Sequence, residues 1–192
     1  MAAPKILVIP GSTRTGSLNI KLAAAATDEL TRAGAEVTRI SLGDFPLPIY
    51  DADLHAKSGA PKHAINLNRM IGAHQGVLWV TPEHNASVPA LVKNTIDWVS
   101  RIQEGNEVRG EVFRGRAFAI ASASNSRFGG ARALAALRLI LTACQATVIA
   151  HQFALSFASE AYDEMDRLKQ PPDAEALKVL ARQLIEISER LT

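Results

Sequence analysis

Apolar residues along the chain fall into two patterns, short dense runs and longer periodic stretches. The short runs are residues 5–10, 36–42, 76–81, 117–122 and 147–151. The first, third and fourth are almost continuously apolar, as central parallel strands covered on both faces should be. The second alternates polar and apolar positions, which suits a strand at an edge. Between the runs, leucines and alanines recur at helical spacing. Leu18, Leu22, Ala25, Ala26 and Leu30 form one stripe within residues 17–33, and Gly34 is placed to end it. Residues 61–74, 88–101, 129–144 and 172–191 carry four more. The last begins at Pro171-Pro172-Asp173 and sets Leu177, Leu180, Leu184, Ile187 and Leu191 on one side.

Strict alternation of strand and helix predicts an α/β domain with right-handed crossovers. An edge-like second strand selects the order 2-1-3-4-5 for a five-stranded parallel sheet, a flavodoxin-like three-layer sandwich. Ligands of such a sheet sit in the crevice at the carboxyl ends of strands one and three. No repeat, low-complexity tract or linker interrupts the pattern, so residues 1–192 read as a single domain. Residues 43–60, rich in proline and aromatic side chains, read as an ordered loop that either packs on the surface or lines a site.

Composition narrows the classes of function. A chain of 192 residues, 47% hydrophobic and 21% charged, can enclose a core unaided. A net charge of +2 gives no reason to expect nucleic acid or a membrane as partner. No apolar stretch approaches the ~20 residues needed to span a bilayer. The first residues lead into a strand without a signal-peptide pattern, so the cytoplasm is the expected compartment. Cys144, the sole cysteine, lies in an apolar helical run and reads as a buried, inert thiol; no internal disulfide or cysteine-based zinc site follows. His55, His63, His74 and His151 lack metal-ligand spacing, and no metal is expected.

The chemistry concentrates in two loops. The first strand runs into Gly11-Ser12-Thr13-Arg14-Thr15-Gly16-Ser17-Leu18-Asn19 before the first helix. A phosphate there meets backbone N–H groups and the positive end of a helix dipole. Ser12, Thr13, Ser17 and Asn19 add neutral donors, and Arg14 adds a permanently charged fork. The loop lacks the Gly-Lys-Ser/Thr ending of an NTP site and the Gly-x-Gly-x-x-Gly spacing of a dinucleotide fold. A monophosphate ester fits what is left; which phosphorylated molecule carries it stays open at this point. The third strand runs into Thr81-Pro82-Glu83-His84-Asn85-Ala86-Ser87-Val88-Pro89. Backbone amides from Glu83 to Ser87 are placed to reach the polar edge of a flat ring across the crevice.

Gly-Ser-x-Arg-x-x-Ser-x-Asn after strand one, with Pro-Glu-x-Asn-x-Ser-x-Pro-x-x-x-Lys-Asn-x-Ile-Asp-Trp after strand three, resembles the NADPH-dependent FMN reductase family, which includes bacterial quinone, chromate and azo-dye reductases. The resemblance covers roughly residues 5 to 185. It implies FMN as cofactor, with its phosphate on Ser12, Arg14, Ser17, Leu18 and Asn19. It places Pro82, Glu83, His84, Asn85 and Ser87 along the isoalloxazine ring. It also brings the loop from Ser122 to Gly130, including Ser124, near the ring's other edge. It implies NADPH or NADH as donor and a ping-pong transfer of two electrons to a quinone or similar small acceptor such as free flavin, azo dye or chromate. No side chain is implied as the reacting group, and the subunit is expected to form a homodimer or homotetramer. The alternative is an FMN-binding carrier or sensor with little reductase activity.

The chain departs from the family pattern at His84, where tyrosine is usual, at Ala90, where glycine is usual, and in the bulky Asn125–Phe128 stretch. Trp79 reads as core, and Trp98 as packing its helix onto the sheet or a subunit boundary. Lys93, Asn94 and Asp97 read as supports for that helix. Arg109, Arg114 and Arg116 read either as a solvated loop or as a clamp for the NADPH phosphate.

Overall fold

A computed structural model describes residues 3–191. In chain order the elements are β1 (Lys5–Pro10), α1 (Leu18–Arg32), β2 (Glu36–Arg39), α2 (Ala52–Ser58), α3 (Lys62–Gly72), β3 (Gly76–Val80), α4 (Ala90–Val99), β4 (Ala117–Ala123), α5 (Ala131–Ala143), β5 (Thr147–Leu155) and α6 (Pro171–Arg190). The strands form one sheet in the order β2-β1-β3-β4-β5, every pair parallel, as the sequence pattern predicts. This is the flavodoxin-like arrangement.

The strand pleat explains the two halves of the core. Ile6 and Val8 of β1, Leu78 and Val80 of β3, and the alanines of β4 pack beneath α1 and α6. Their neighbours Leu7, Ile9, Val77, Trp79, Phe118 and Ile120 face the opposite way, toward α3, α4 and α5. Both faces of β1, β3 and β4 are therefore covered, which is why those runs are continuously apolar. Trp79 is fully buried within the sheet, as expected.

Three local readings change. Residues 43–60 contain a helix, α2, that its polar sequence hides. Asp51 starts it by accepting from the Leu54 amide at 2.8 Å, and Gly59 ends it with a φ of 73°. Strand β5 runs four residues further than its apolar run. Its register slips against β4 between Phe118 and Ile120, and Arg138 of α5 donates to Ile149 O at 2.9 Å across the irregularity. The exposed His151 and Gln152 in that irregular stretch mask the continuation. Trp98, finally, faces away from the sheet. It is buried with Ala64 and Ile102 and lies 5.0 Å from the Tyr50 ring. Its indole N–H donates to Pro48 O at 2.8 Å. Asn94 completes the anchorage: its Nδ2 donates to the same carbonyl at 2.9 Å, and its Oδ1 accepts from the Tyr50 amide at 2.7 Å. The proline-rich loop is thus pinned to α4.

Candidate active site

The carboxyl ends of the inner strands are held in line by hydrogen bonds that run one residue past each strand. Gly11 N–H donates to Val80 O at 2.7 Å, Thr81 N–H to Ala121 O at 2.9 Å, and Ser124 N–H to Leu155 O at 3.0 Å. The loops after β1, β3 and β4 therefore emerge side by side. Gly11 is required by close approach: a Cβ there would lie 2.4 Å from Val92 Cγ2 of α4. The first residue of the phosphate loop is pressed against the helix that follows the second loop.

Residues 13–16 form an exposed rim above buried Gly11 and Ser17. Ser17 caps α1, its hydroxyl accepting from the Asn19 amide at 3.3 Å, while its own N–H closes the turn onto Arg14 O at 3.1 Å. Ser12 Oγ accepts from the Arg14 amide at 3.3 Å. The amides of Ser12, Thr13, Thr15 and Gly16 bond to no other group among the described residues. The Arg14 guanidinium makes long bonds, 3.3 and 3.4 Å, to the Thr15 and Gly16 carbonyls of its own loop. The rim thus offers N–H donors, a movable cation and a helix N-terminus to an anion. Half-buried Leu18 packs against the α1–α6 core below it.

Asn19 has a different place from the expected one. The residue is 3% exposed and its carboxamide faces the sheet: Oδ1 accepts from Ala123 N–H and Nδ2 donates to Ala123 O, both at 2.9 Å. It ties the start of α1 to the end of β4 instead of reaching into the loop.

After β3, His84 and Ser87 exchange backbone bonds of 2.9 and 3.0 Å around Asn85 and Ala86, whose φ angles are 50° and 62°. This is a tight turn of the primed type. It commits two of the amides expected to face a ring and leaves those of Glu83, Asn85 and Ala86 without a partner among the described residues. His84 and Asn85 stand exposed at its tip; Pro82 and Ser87 are half-buried at its base.

Glu83 turns the other way. Its carboxylate accepts from Arg132 Nε at 2.7 Å, pairs with Arg132 Nη2, and accepts from the amides of Arg132 and Ala133 at 3.2 and 3.4 Å. Those amides open α5, whose N-cap, Gly130 (φ 89°), has no side chain to satisfy them. None fits there, since a Cβ on Gly130 would collide with Ser122 Oγ. Glu83 caps α5 from a neighbouring loop. The sequence signal for this was a helix preceded by Gly129-Gly130 in place of a Ser, Thr or Asp cap.

The loop after β4 is equally tied down. The half-buried Ser124 accepts from the Ser126 amide at 3.2 Å. Asn125 Oδ1 accepts from the Ser159 amide, and the Ser156 hydroxyl donates to Arg127 O, each at 2.9 Å. Residues elsewhere fall away from the crevice. Lys93 and Asp97 pair along α4 at 2.8 Å. Arg116 is half-buried and donates to His74 O at 2.6 Å and Gly72 O at 3.1 Å, closing the end of α3. It immediately precedes β4, so with Arg109 and Arg114 it belongs to the amino end of the sheet, opposite the phosphate loop. A clamp acting at this subunit's own crevice is therefore excluded. Cys144 is half-buried at the end of α5, and burial pushes its thiol pKa up. No cluster of three or more His, Cys, Asp or Glu suited to a metal occurs among the described residues. No helix there is long and apolar enough to cross a membrane.

The profile of the NADPH-dependent FMN reductase family matches residues 4–160. A quinone reductase of Escherichia coli (strain K12) is 36% identical over 146 residues, 76% of this chain and 73% of its own. An NAD(P)H-dependent FMN reductase of Pseudomonas aeruginosa is 34% identical over 182 residues, 94% of this chain and 91% of its own. Among solved structures, FerB, a flavoenzyme NAD(P)H:(acceptor) oxidoreductase from Paracoccus denitrificans, superposes with a TM-score of 0.82 at 25% identity, covering 98% of both chains.

Proposed function

Because this chain belongs to the NADPH-dependent FMN reductase family, we propose that its FMN sits at the carboxyl edge of the sheet, between the loops after β1, β3 and β4. The chain is an FMN-dependent NAD(P)H oxidoreductase acting on quinones or similar small acceptors. The observation that carries the placement is the Gly11–Val80 hydrogen bond, which sets an anion-binding rim directly beside the Pro82–Ser87 loop.

The residues present fit the cofactor. Unbonded amides of the 12–16 rim, the Ser12 and Ser17 hydroxyls and Arg14 would hold its phosphate. Leu18 would back the loop, and Asn19 would fix the start of α1 against β4. The Glu83 amide, Pro82, His84, Asn85 and Ser87 would border the ring, with Ser124 at the opposite edge. When bound, FMN supplies the two-electron redox chemistry between NAD(P)H and the acceptor. The protein's contribution is position and field. Amides aimed at the polar edge of the ring favour negative charge there, and loops tied at both ends keep that field fixed.

In this reading residues 1–192 act as one FMN-binding domain in the cytoplasm, assembled as a homodimer or homotetramer. The 73% exposure of Leu139 on the outer face of α5 supports assembly. Sedimentation of the purified protein tests it. The site itself is tested by adding FMN to purified protein and mixing with NADPH under anaerobic conditions. Bleaching of the flavin absorbance, then recovery on adding menadione, is the expected result. A folded protein that takes up no FMN would refute the placement.

A further inference from the structure

The loop after β4 carries a feature that flavin binding does not use. The Phe128 side chain is 46% exposed and lies under two guanidinium groups, Arg127 Cζ at 4.7 Å and Arg132 Cζ at 5.5 Å from the ring centroid. Arg132 is neutralised by Glu83. Arg127 has no carboxylate within ion-pairing distance among the described residues, although its backbone is fixed by the Ser156 hydroxyl. This loop leaves β4 beside Glu83, so the pair stands on the lip of the crevice. An exposed flat ring next to an unneutralised guanidinium is complementary to a flat aromatic molecule bearing an acidic substituent.

We propose that Arg127 and Phe128 set acceptor specificity, favouring aromatic quinones or dyes that carry a sulfonate or carboxylate over neutral ones. This rests on the reductase reading above and goes beyond it in naming a substrate class. The exposed part of the Phe128 ring, beside the guanidinium groups, packs against the ring of the acceptor, and Arg127 bonds the anionic substituent.

The test compares naphthoquinone sulfonate with menadione, using NADH as donor. Arg127→Gln should lower the ratio of kcat/KM for the sulfonate to that for menadione by roughly three- to tenfold, between the worth of an exposed ion pair and of a charge-assisted hydrogen bond. Arg127→Lys, which keeps the charge, should retain most of the ratio. Raising the salt concentration should shrink the ratio of the unmodified protein toward that of Arg127→Gln. An unchanged ratio in Arg127→Gln overturns the proposal. So does a loss that appears as a fall in NADPH preference over NADH with menadione, because the anion recognised would then be the donor's phosphate. Calorimetric titration of the FMN-loaded protein with naphthoquinone sulfonate reads the same contact without turnover. A protein that binds the sulfonate through Arg127 but is never reduced by NAD(P)H would refute the reductase reading, and acceptor specificity with it, leaving only the contact between Arg127 and the anion. A protein that is reduced but shows no dependence on Arg127 would refute this inference alone.

Discussion

Gly11→Ala is the substitution whose outcome the geometry fixes most tightly. The added methyl would lie 2.4 Å from Val92 Cγ2, whereas carbon atoms prefer roughly 3.5–4.0 Å. A shift of about 1 Å or more is needed. Neither partner can readily provide it. Val92 is fully buried on α4, where a β-branched side chain has one favoured rotamer. Gly11 is held to Val80 O by a 2.7 Å hydrogen bond. Overpacking of this kind costs about 1–3 kcal/mol. Val92→Ala alone removes two buried methyl groups and leaves a small cavity, a loss of about 2 kcal/mol.

The double substitution is the informative one. The methyl introduced by Gly11→Ala would enter space that Val92→Ala vacates, so Gly11→Ala/Val92→Ala should be about as stable as Val92→Ala. Simple addition instead gives a loss of about 3–5 kcal/mol from the two single costs. The expected coupling is about 1–3 kcal/mol, well above the roughly 0.5 kcal/mol scatter of independent sites. Urea unfolding of the FMN-free proteins measures it, provided the slope with denaturant stays constant. Affinity for FMN should follow the same pattern: weakened by Gly11→Ala and partly restored in the double variant. Additive losses would show that the first loop does not rest on α4, and the account of how the crevice is assembled would fail with it.

Asn19→Leu should destabilise the protein by about 2–4 kcal/mol, since the N–H and C=O of Ala123 are left buried and unbonded; thermal unfolding would show little change if the carboxamide instead serves the phosphate alone. Arg14→Ala should weaken FMN roughly tenfold to a hundredfold while stability of the FMN-free protein stays within about 0.5 kcal/mol, because its bonds at 3.3 and 3.4 Å are long, exposed ones. Glu104 has its pKa lowered first by hydrogen bonding to Arg69. The folded protein therefore binds this proton less readily than the unfolded chain, and the stability Glu104 contributes is present above its ordinary value and lost as pH falls through the lower folded value. Melting temperatures recorded across that acid range should fall less steeply in Glu104→Gln; parallel curves would remove the residue from the acid response.

Much of this molecule is legible in its sequence because parallel sheets write plainly. Nearly continuous apolar runs at β1, β3 and β4 match strands covered on both sides, and the mixed run at β2 matches an edge. The hidden pieces share a cause. The helix α2 buries no residue, so it has no stripe to read; its only marks are a cap at Asp51 and a stop at Gly59. The end of β5 lies beyond an irregular, exposed stretch at His151 and Gln152 that breaks the alternation. Motif spacing located the loops at the crevice but could not tell which polar side chains face a ligand. Asn19 and Glu83 look like ligands in the linear pattern, and each is bonded to a backbone more than forty residues away.

That distinction bears on how the site holds its shape. Each loop at the carboxyl edge is fastened to a neighbouring element by a polar residue of its own: Asn19 joins the first to β4, Glu83 joins the second to α5, and Asn125 joins the third to the segment after β5. Binding a flat, charged cofactor between three independent loops would carry the entropy of ordering all three. Here folding has already met that cost, so more of the contact energy is available for affinity and for a fixed field at the ring. Two classes of variant should therefore separate. Changes to rim contacts such as Arg14 should alter FMN affinity without altering stability. Changes to the joints should move both together, and by an amount set by buried hydrogen bonds that no ligand touches. If Glu83→Ala left FMN affinity intact while lowering stability, the joints would be scaffolding alone, and preorganisation would not be their function.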